Sequence, residues 1–506
     1  MSAASPSIKP AVSPAPRRLL RRVLSFPVAM AGSLAVLAEL SVRGRFNDSD
    51  MWWHLKSGEM IWTRHSIPTM DLFSFTAFHH ALVPQEWLAQ ALIYGAYRMG
   101  GYSGLMLWFC VLAAALLITG YALCSLVSGN SKIGLLGAMV LWFFSTAGLS
   151  IRPQVIGYLL LTVELLVLYL GGSRNPRWLW CLPPLFAIWV NCHGSFFLGL
   201  MVLGVFSICS LLDFQTGALV CRGWEPRRRR MLLLVLVLSV AAVFLNPVGW
   251  RQVLYPLDTM LRQPVNLAYV QEWLPLPFNT GRGVGLLCVL AVIFLVLLVR
   301  RSSEVLDLRE LILLAMGAWL ALNHRRLVFV FGILAAPVVA RLLSSFWDGY
   351  DAEKDRPAPN LIFLAVVALA LFLGFPSRQA LAEQVTNGNP VKAVAYIKSH
   401  PLSGNMLNFY SDGGYLIWAM PEHPVFIDGR ADLYEWAGVL REYGEWATLQ
   451  SDPNLLLNKY HIGFCLLERG SPMTFVLPLM PEWKQVYSDD SSVIFVRVGG
   501  VASSTH

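Results

Sequence analysis

Carboxylates, imidazoles and guanidinium groups recur in this sequence at the ends of apolar runs. Asn47-Asp48-Ser49-Asp50-Met51-Trp52-Trp53-His54 follows the first run. Arg152-Pro153-Gln154, Asn191-Cys192-His193-Gly194, Asn246-Pro247, Glu272-Trp273 and Asn323-His324-Arg325-Arg326 follow later ones. Asp48 and Asp50, with one residue between them, can hold a divalent cation such as Mg or Mn through oxygen ligands. Either one alone can serve as general base toward an attacking hydroxyl, and His54 joins them in the candidate catalytic set. Arg152, Arg325 and Arg326 suit a phosphate, which a guanidinium grips with two hydrogen bonds; a departing phosphate is stabilised by that charge. Asn191 and His193, at a tight glycine turn, suit phosphate or sugar hydroxyls. Trp52 and Trp53 offer flat faces to a sugar ring, and Glu86 and Glu272 complete the candidate binding set. Each has a structural reading as well: interfacial tryptophans anchor helices, arginines snorkel to headgroups, and loop acids are commonly solvated.

The elements that must position these residues are membrane helices. Apolar residues make up 56% of the 506-residue chain and charged residues 14%, against about a quarter charged in soluble proteins; mean hydropathy is +0.55. The formal charge of +8 lies in short loops, where it orients helices, and does not imply nucleic acid. Seven of the eight cysteines lie in or beside apolar spans and only Cys465 lies beyond them, with no CxxC spacing, so neither a disulfide framework nor a zinc site is expected. The first apolar run, after Arg17, Arg18, Arg21 and Arg22, is long for a signal peptide and lacks a small-residue cleavage site. It reads as a retained helix.

About 20 apolar residues cross a bilayer as a helix. Eleven spans are expected, at 22–42, 103–127, 132–150, 155–171, 178–191, 194–213, 231–247, 284–299, 309–322, 327–344 and 359–375. Lys132, Arg174 and Arg177, Arg227 to Arg230, Arg300, Arg301 and Arg309, and Lys354 and Arg356 then fall on the cytoplasmic side, as the positive-inside rule asks. All the candidate site residues fall on the other side. The expected organisation is a cytoplasmic tail (1–21), a transmembrane domain (22–375) with long outer loops at 43–101 and 247–283, and a small extracytoplasmic α/β domain (376–506). Glu86 to Tyr94 reads as an amphipathic helix in the headgroup layer. In the tail, Pro390–Ser399 and Tyr434–Gln450 read as helices. Met406–Tyr410, Tyr415–Ala419, Val425–Ile427, Ile462–Leu467, Lys484–Tyr487 and Val493–Val498 read as strands. Ser411-Asp412-Gly413-Gly414-Tyr415 and Phe426-Ile427-Asp428-Gly429-Arg430-Ala431-Asp432 stand out as acid–glycine turns that either contact an acceptor or simply turn the chain. Glu164 falls mid-span and reads as a protonated or paired packing residue.

On these residues the chain resembles the GT-C class of membrane glycosyltransferases, in particular bacterial members with a long first outer loop and a C-terminal extracytoplasmic domain. The resemblance rests on Asp50-Met51-Trp52-Trp53-His54-Leu55 with Gly58, Ile67-Pro68-Thr69-Met70-Asp71, Glu86-Trp87-Leu88, Arg152-Pro153-Gln154, Asn191 with His193-Gly194, Asn246-Pro247-Val248-Gly249, Glu272-Trp273 and Arg325-Arg326. It implies a multi-pass protein of the cytoplasmic (inner) membrane acting in the cell envelope. Such an enzyme moves a hexosyl or pentosyl group from a polyprenyl-phosphate carrier to a glycan, lipid or protein acceptor, among membrane lipids and with no nucleic acid. Asp50 or Asp48 would be base or metal ligand, and the helix-end arginines would meet the carrier phosphate. The oligosaccharyltransferase branch carries Trp-Trp-Asp in its soluble domain, and this tail has no such motif. An O-antigen ligase or polymerase also uses outer-face arginines. A transporter or flippase of lipid-linked sugars would show several mid-membrane charges or repeat symmetry; here Glu164 stands alone and no repeat is present. A non-catalytic scaffold presenting the tail is the remaining class.

Overall fold

The computed structural model describes residues 22–46, 48–299, 306–347 and 349–498. The expected N-terminal tail (1–21) with Arg17, Arg18 and Arg21, and also Asn47, Arg300 and Arg301, lie outside the described residues. A helix stands at each expected apolar segment. These are α1 (Phe26–Val42), α3 (Trp87–Ser128), α4 (Ser131–Ser145), α5 (Gln154–Ser173), α6 (Leu182–Trp189, entered through a 3-10 turn Pro176–Cys181), α7 (Phe196–Leu211), α8 (Pro226–Ala242), α11 (Gly281–Val299), α12 (Leu308–Asn323), α13 (Val328–Leu343) and α14 (Pro357–Gly374). Five helical stretches, 87–128, 154–173, 281–299, 325–346 and 357–374, are long and apolar enough to cross a membrane. The chain is a polytopic helical membrane protein.

Burial sorts the helices. Every residue of α13 from Val328 to Ala340 is buried; a helix apolar all round belongs in the middle of a bundle. On α14 only Val367 is buried, and side chains such as Phe372 face outward, as lipid-facing residues do. Glu164 is buried in α5 with neither oxygen hydrogen-bonded. Arg228 and Arg341 lie at the end of the bundle away from the candidate site. Arg228 at the start of α8 donates to the Gly172 carbonyl at the end of α5. Near the end of α13, Arg341 grips Glu310, at the start of α12, through Nε and Nη2 at 2.6–3.0 Å.

Two helices differ from expectation. Glu86 to Tyr94 is not a separate surface helix: it continues as α3, which bends where Gly100 and Gly101 leave helical geometry. Gly101 has a φ of 58°, which glycine adopts without a Cβ clash. The first outer loop contains a helix that its polar composition concealed, α2 (Ser49–Arg64). Asp48 caps it by accepting from the Asp50 amide at 2.9 Å, as an N-cap carboxylate does. Met51, Trp52, Leu55 and Met60 are buried on its inner face. The second long loop folds into α9 (Trp250–Arg262) and α10 (Pro264–Tyr269).

A minor sheet joins β1 (Phe214–Thr216), β2 (Leu219–Cys221) and β3 (Leu306–Asp307). The C-terminal sheet, in order β4-β5-β7-β6, consists of β4 (Asn405–Asn408), β5 (Ile462–Glu468), β6 (Trp483–Ser488) and β7 (Ser492–Arg497), with β4 parallel to β5 and the other pairs antiparallel. Its side chains alternate between two cores. Met406, Phe464, Leu466 and Ile494 join the core of the helical body. Leu407, Cys465, Leu467 and Phe495 face a second core with Tyr434 and Trp446, the two-residue period of a strand buried on both faces. Tyr415–Ala419 is not a strand but the end of the helix Gly413–Ala419, and Val425–Ile427 contributes only a bridge, Ser74 to Val425. The expected helix Tyr434–Gln450 is two helices, Ala431–Trp436 and Val439–Ala447, separated at Gly438.

Candidate active site

The ends of α2, α5 and α13 and the loop after α10 surround a cavity of about 780 Å³. The cap at Asp48 sets Asp50 in the first turn of α2, where the helix dipole favours a carboxylate. Arg152 comes from the turn before α5. Its Nε lies 2.8 Å from both oxygens of Asp48, and its Nη1 lies 2.8 Å from Asp50 Oδ2 and 3.4 Å from Glu272 Oε1. Glu272 sits in a single 3-10 turn and also meets Arg326 Nη1 at 3.3 Å. Two contacts pin that turn to the start of α13: Arg325 N donates to the Leu274 carbonyl at 2.9 Å, and the His324 ring nitrogen Nδ1 lies 2.7 Å from the Trp273 carbonyl. The Arg326 guanidinium lies over the Trp273 ring at 5.3 Å. Arg325 reaches Gln271 Oε1 at 3.1 Å and is half-buried at the cavity wall.

Burial pushes the Asp50 carboxyl up to about 6, opposed by Arg152 and reinforced by Asp48 and Glu272. Arg326, aided by Arg152, holds Glu272 below the ordinary range despite its burial. Near neutral pH this wall therefore carries ionised carboxylates and guanidinium groups together.

Across the cavity the chemistry is different. Glu86, just before α3, faces two imidazoles, with His54 Nδ1 3.8 Å from Oε2 and His193 Nε2 3.7 Å from Oε1. The Ser195 amide donates to His193 Nδ1 at 3.1 Å, so the proton of the neutral ring sits on Nε2, toward Glu86. Gln90 Nε2 lies 3.3 Å from His54 Nδ1. Burial, with the carboxylates of Asp432 and Asp50 adding to it against Arg326, pushes Glu86 up to about 8. Burial, and then neighbouring cations, holds His54 well below its usual value and His193 down at about 3. Glu86, His54 and His193 are therefore neutral near pH 7, hydrogen-bonding groups without charge.

The cavity thus collects Asp50, Trp53, His54, Glu86, Arg152, His193, Glu272, Arg325 and Arg326. Three expected residues lie off its lining. Trp52 is fully buried, edge-on to Tyr102 and Tyr415 with centroids 6.1 and 5.1 Å apart, so no sugar reaches it. Asn191 spends its groups on the protein: Oδ1 accepts from Trp87 Nε1 at 2.6 Å, and Nδ2 donates to the Ala187 and Leu245 carbonyls at 2.8 Å each. Asp48 stands behind Asp50, occupied by the α2 cap and Arg152. Arg152 is itself held by three carboxylates rather than left open toward a phosphate.

Asp48 and Asp50 do not fit a Mg or Mn ion in this arrangement. The Arg152 guanidinium fills the ground that the two carboxylates share, and no group of three His, Cys, Asp or Glu among the described residues could hold a metal. Tyr255, on α9, which hydrogen-bonds Asp432 at the cavity wall, and Gln90 stand in no motif that marks them in the sequence. The spacing within 250–262 carries an amphipathic signal that a loop assignment overlooked.

No protein-family model matches this chain, and no curated protein matches it. Solved structures do, at low identity. The oligosaccharyltransferase of Archaeoglobus fulgidus in its apo form matches with a TM-score of 0.53 and 13% identity, over 88% of this chain and 69% of that one. ArnT from Cupriavidus metallidurans bound to undecaprenyl phosphate matches with a TM-score of 0.51 and 12% identity, over 94% and 99%. The mycobacterial arabinofuranosyltransferase AftD matches with a TM-score of 0.51 and 13% identity, over 97% of this chain and 40% of that one. The A. fulgidus enzyme has also been solved with dolichol phosphate and an inhibitory peptide, and with Zn and sulfate. These likenesses establish the fold, that of the GT-C membrane glycosyltransferases.

Proposed function

We propose that this chain is an inverting glycosyltransferase that moves a sugar from a polyprenyl-phosphate carrier to an acceptor hydroxyl at the outer face of the cytoplasmic membrane. The observation that carries this reading is convergence. Asp50, Arg152, Glu272 and Arg325-Arg326, from stretches far apart in sequence, meet at one cavity at one end of an apolar helix bundle, with Arg228 on the Gly172 carbonyl and the Arg341–Glu310 ion pair at the other. The positive-inside rule makes the latter end cytoplasmic. Residues 376–498 then form an extracytoplasmic part that walls the cavity through Tyr410, Arg430 and Asp432.

In this reading the acceptor oxygen attacks the anomeric carbon as the bond from that carbon to the phosphate oxygen breaks. The hydroxyl proton passes to the Asp50 carboxylate, and the electron pair of the broken bond leaves with polyprenyl phosphate. Attack opposite the leaving group inverts the anomeric centre. Positive charge builds on the sugar, as in glycoside hydrolysis, near the Asp50 and Glu272 carboxylates. Arg325 and Arg326 are the guanidinium groups placed for the phosphate, since Arg152 is occupied in holding Asp48, Asp50 and Glu272. Sugar hydroxyls meet the neutral wall of Glu86, His54 and His193. The step needs no metal.

The test is to incubate purified protein in lipid with a panel of polyprenyl-phosphate sugars and an envelope extract as acceptor. Release of polyprenyl phosphate, persisting in EDTA, is expected from one donor. Release from none of them, in protein that retains its fold, would sink the reading.

A further inference from the structure

Two motifs singled out in the tail have no part in the chemistry above, and both press on the turn that carries Asp50. A Cβ on Gly429 would stand 1.8 Å from Asp50 Oδ1 and 2.9 Å from its Cγ; a Cβ on Gly414 would stand 2.1 Å from the Ser49 carbonyl oxygen and 3.5 Å from the Trp53 ring. Both approaches are well inside van der Waals contact: at Gly414 the obstacle is backbone and only glycine fits, whereas at Gly429 it is the Asp50 carboxyl, which an added side chain would displace. The surface that presents these glycines is itself fixed. Next to Gly429, Arg430 Nε and Nη2 donate to Asp428 at 2.8 and 2.6 Å, Tyr434 donates to Asp428 at 2.6 Å, and Arg430 Nη1 reaches Asp71 Oδ1 of the first outer loop at 2.6 Å. Asp428 and Asp71 are fully buried. Beside Gly414, Tyr415 stands edge-on to Trp52 at 5.1 Å.

We propose that Gly429 and Gly414 are positioning residues, the floor that sets the Asp50 carboxyl against Arg152, so that the C-terminal segment is a working part of the catalytic centre. This rests on Asp50 as the base. A side chain at 429 would drive the carboxyl off that floor and away from the guanidinium, and a misplacement of about 1 Å at a reacting group can cost on the order of 10²-fold in rate.

Gly429→Ala is expected to reach normal membrane levels and to lose kcat by about 10²-fold with little change in donor KM. The acid limb of its pH–rate profile should move to higher pH, the direction given by taking Asp50 away from a cation. Gly204→Ala, where nothing lies within 4 Å of an added Cβ, serves as control. An unchanged kcat in Gly429→Ala would overturn the proposal. If that variant does not accumulate, Asp50→Cys/Gly429→Cys decides. Oxidation should join the two segments, read as proteolytic fragments that part only on reduction; failure to join overturns the proposal. The cross-link needs no glycosyl transfer, so it separates this proposal from the function it rests on.

Discussion

The two walls of the cavity bury similar groups and treat them in opposite ways. On one, three carboxylates crowd together, yet Arg152 touches all three and Arg326 shares Glu272, so charge is retained. On the other, Glu86 is buried between imidazoles, with no guanidinium paired to it among the described residues, and it keeps its proton up to about 8. Burial alone neutralises an acid, whereas burial with a fork-shaped cation keeps it ionised. In the proposed reaction the difference divides the labour: charge lies where a proton would be taken and a phosphate would leave, and uncharged hydrogen bonding where a hydroxyl-rich ring would lie.

The comparison breaks first at Asp50. Asp50→Asn keeps the shape and removes the proposed base, and general-base loss costs typically 10²–10⁴-fold. Transfer measured with the released carrier should fall by that order while the membrane level stays normal; full activity would remove Asp50 from the role. Next comes Arg152→Ala, which leaves Asp48, Asp50 and Glu272 without their shared guanidinium. Its kcat should fall by about tenfold or more, and its acid limb should move above about 6, because the group that lowers the Asp50 carboxyl is gone. An acid limb left in place would mean that Arg152 does not govern that proton. A smaller effect is expected from Arg325→Ala, whose guanidinium is held, among the described residues, by a hydrogen bond to Gln271. Loss of one charge-assisted contact to phosphate costs about 1.5–3 kcal/mol, read as a raised donor KM with kcat retained; an unchanged KM would leave the phosphate to Arg326.

Much of this was legible beforehand, for reasons that particular residues make clear. Asp50, Arg152, Glu272 and Arg325 each follow an apolar run, and counting runs puts them at one end of the bundle. What each guanidinium meets is a tertiary fact: nothing at Arg152 in the sequence announces Asp48, 104 residues away. Trp52 and Trp53 were indistinguishable because α2 went unseen; once it is a helix, neighbours diverge by about 100° around its axis, one into the core and one into the cavity. The helix itself was hidden because its apolar face is completed by Tyr415 from the tail. Leu416 and Ile417, buried together in a short apolar run, fit strand or helix equally, and the strand reading at Tyr415–Ala419 failed for that reason. The acid–glycine turns were noticed without a role, since the surface they press on is far away in sequence.

The least effect is expected where the neutral wall is altered conservatively. If Glu86 works as a protonated acid, glutamine matches its shape and most of its hydrogen bonding, so Glu86→Gln should keep kcat near neutral pH within a few-fold of the parent. The two should separate with pH. The parent profile should rise through about 6 as Asp50 gives up its proton, and fall above about 8 as Glu86 ionises and puts a charge against the sugar. In Glu86→Gln the acid limb should stay and the alkaline limb should flatten, because the amide has no proton to lose. Were Glu86 instead an anion gripping a cationic sugar, the same substitution would cost orders of magnitude at neutral pH. The profile of this one variant therefore decides whether the second wall differs from the first in charge or only in composition.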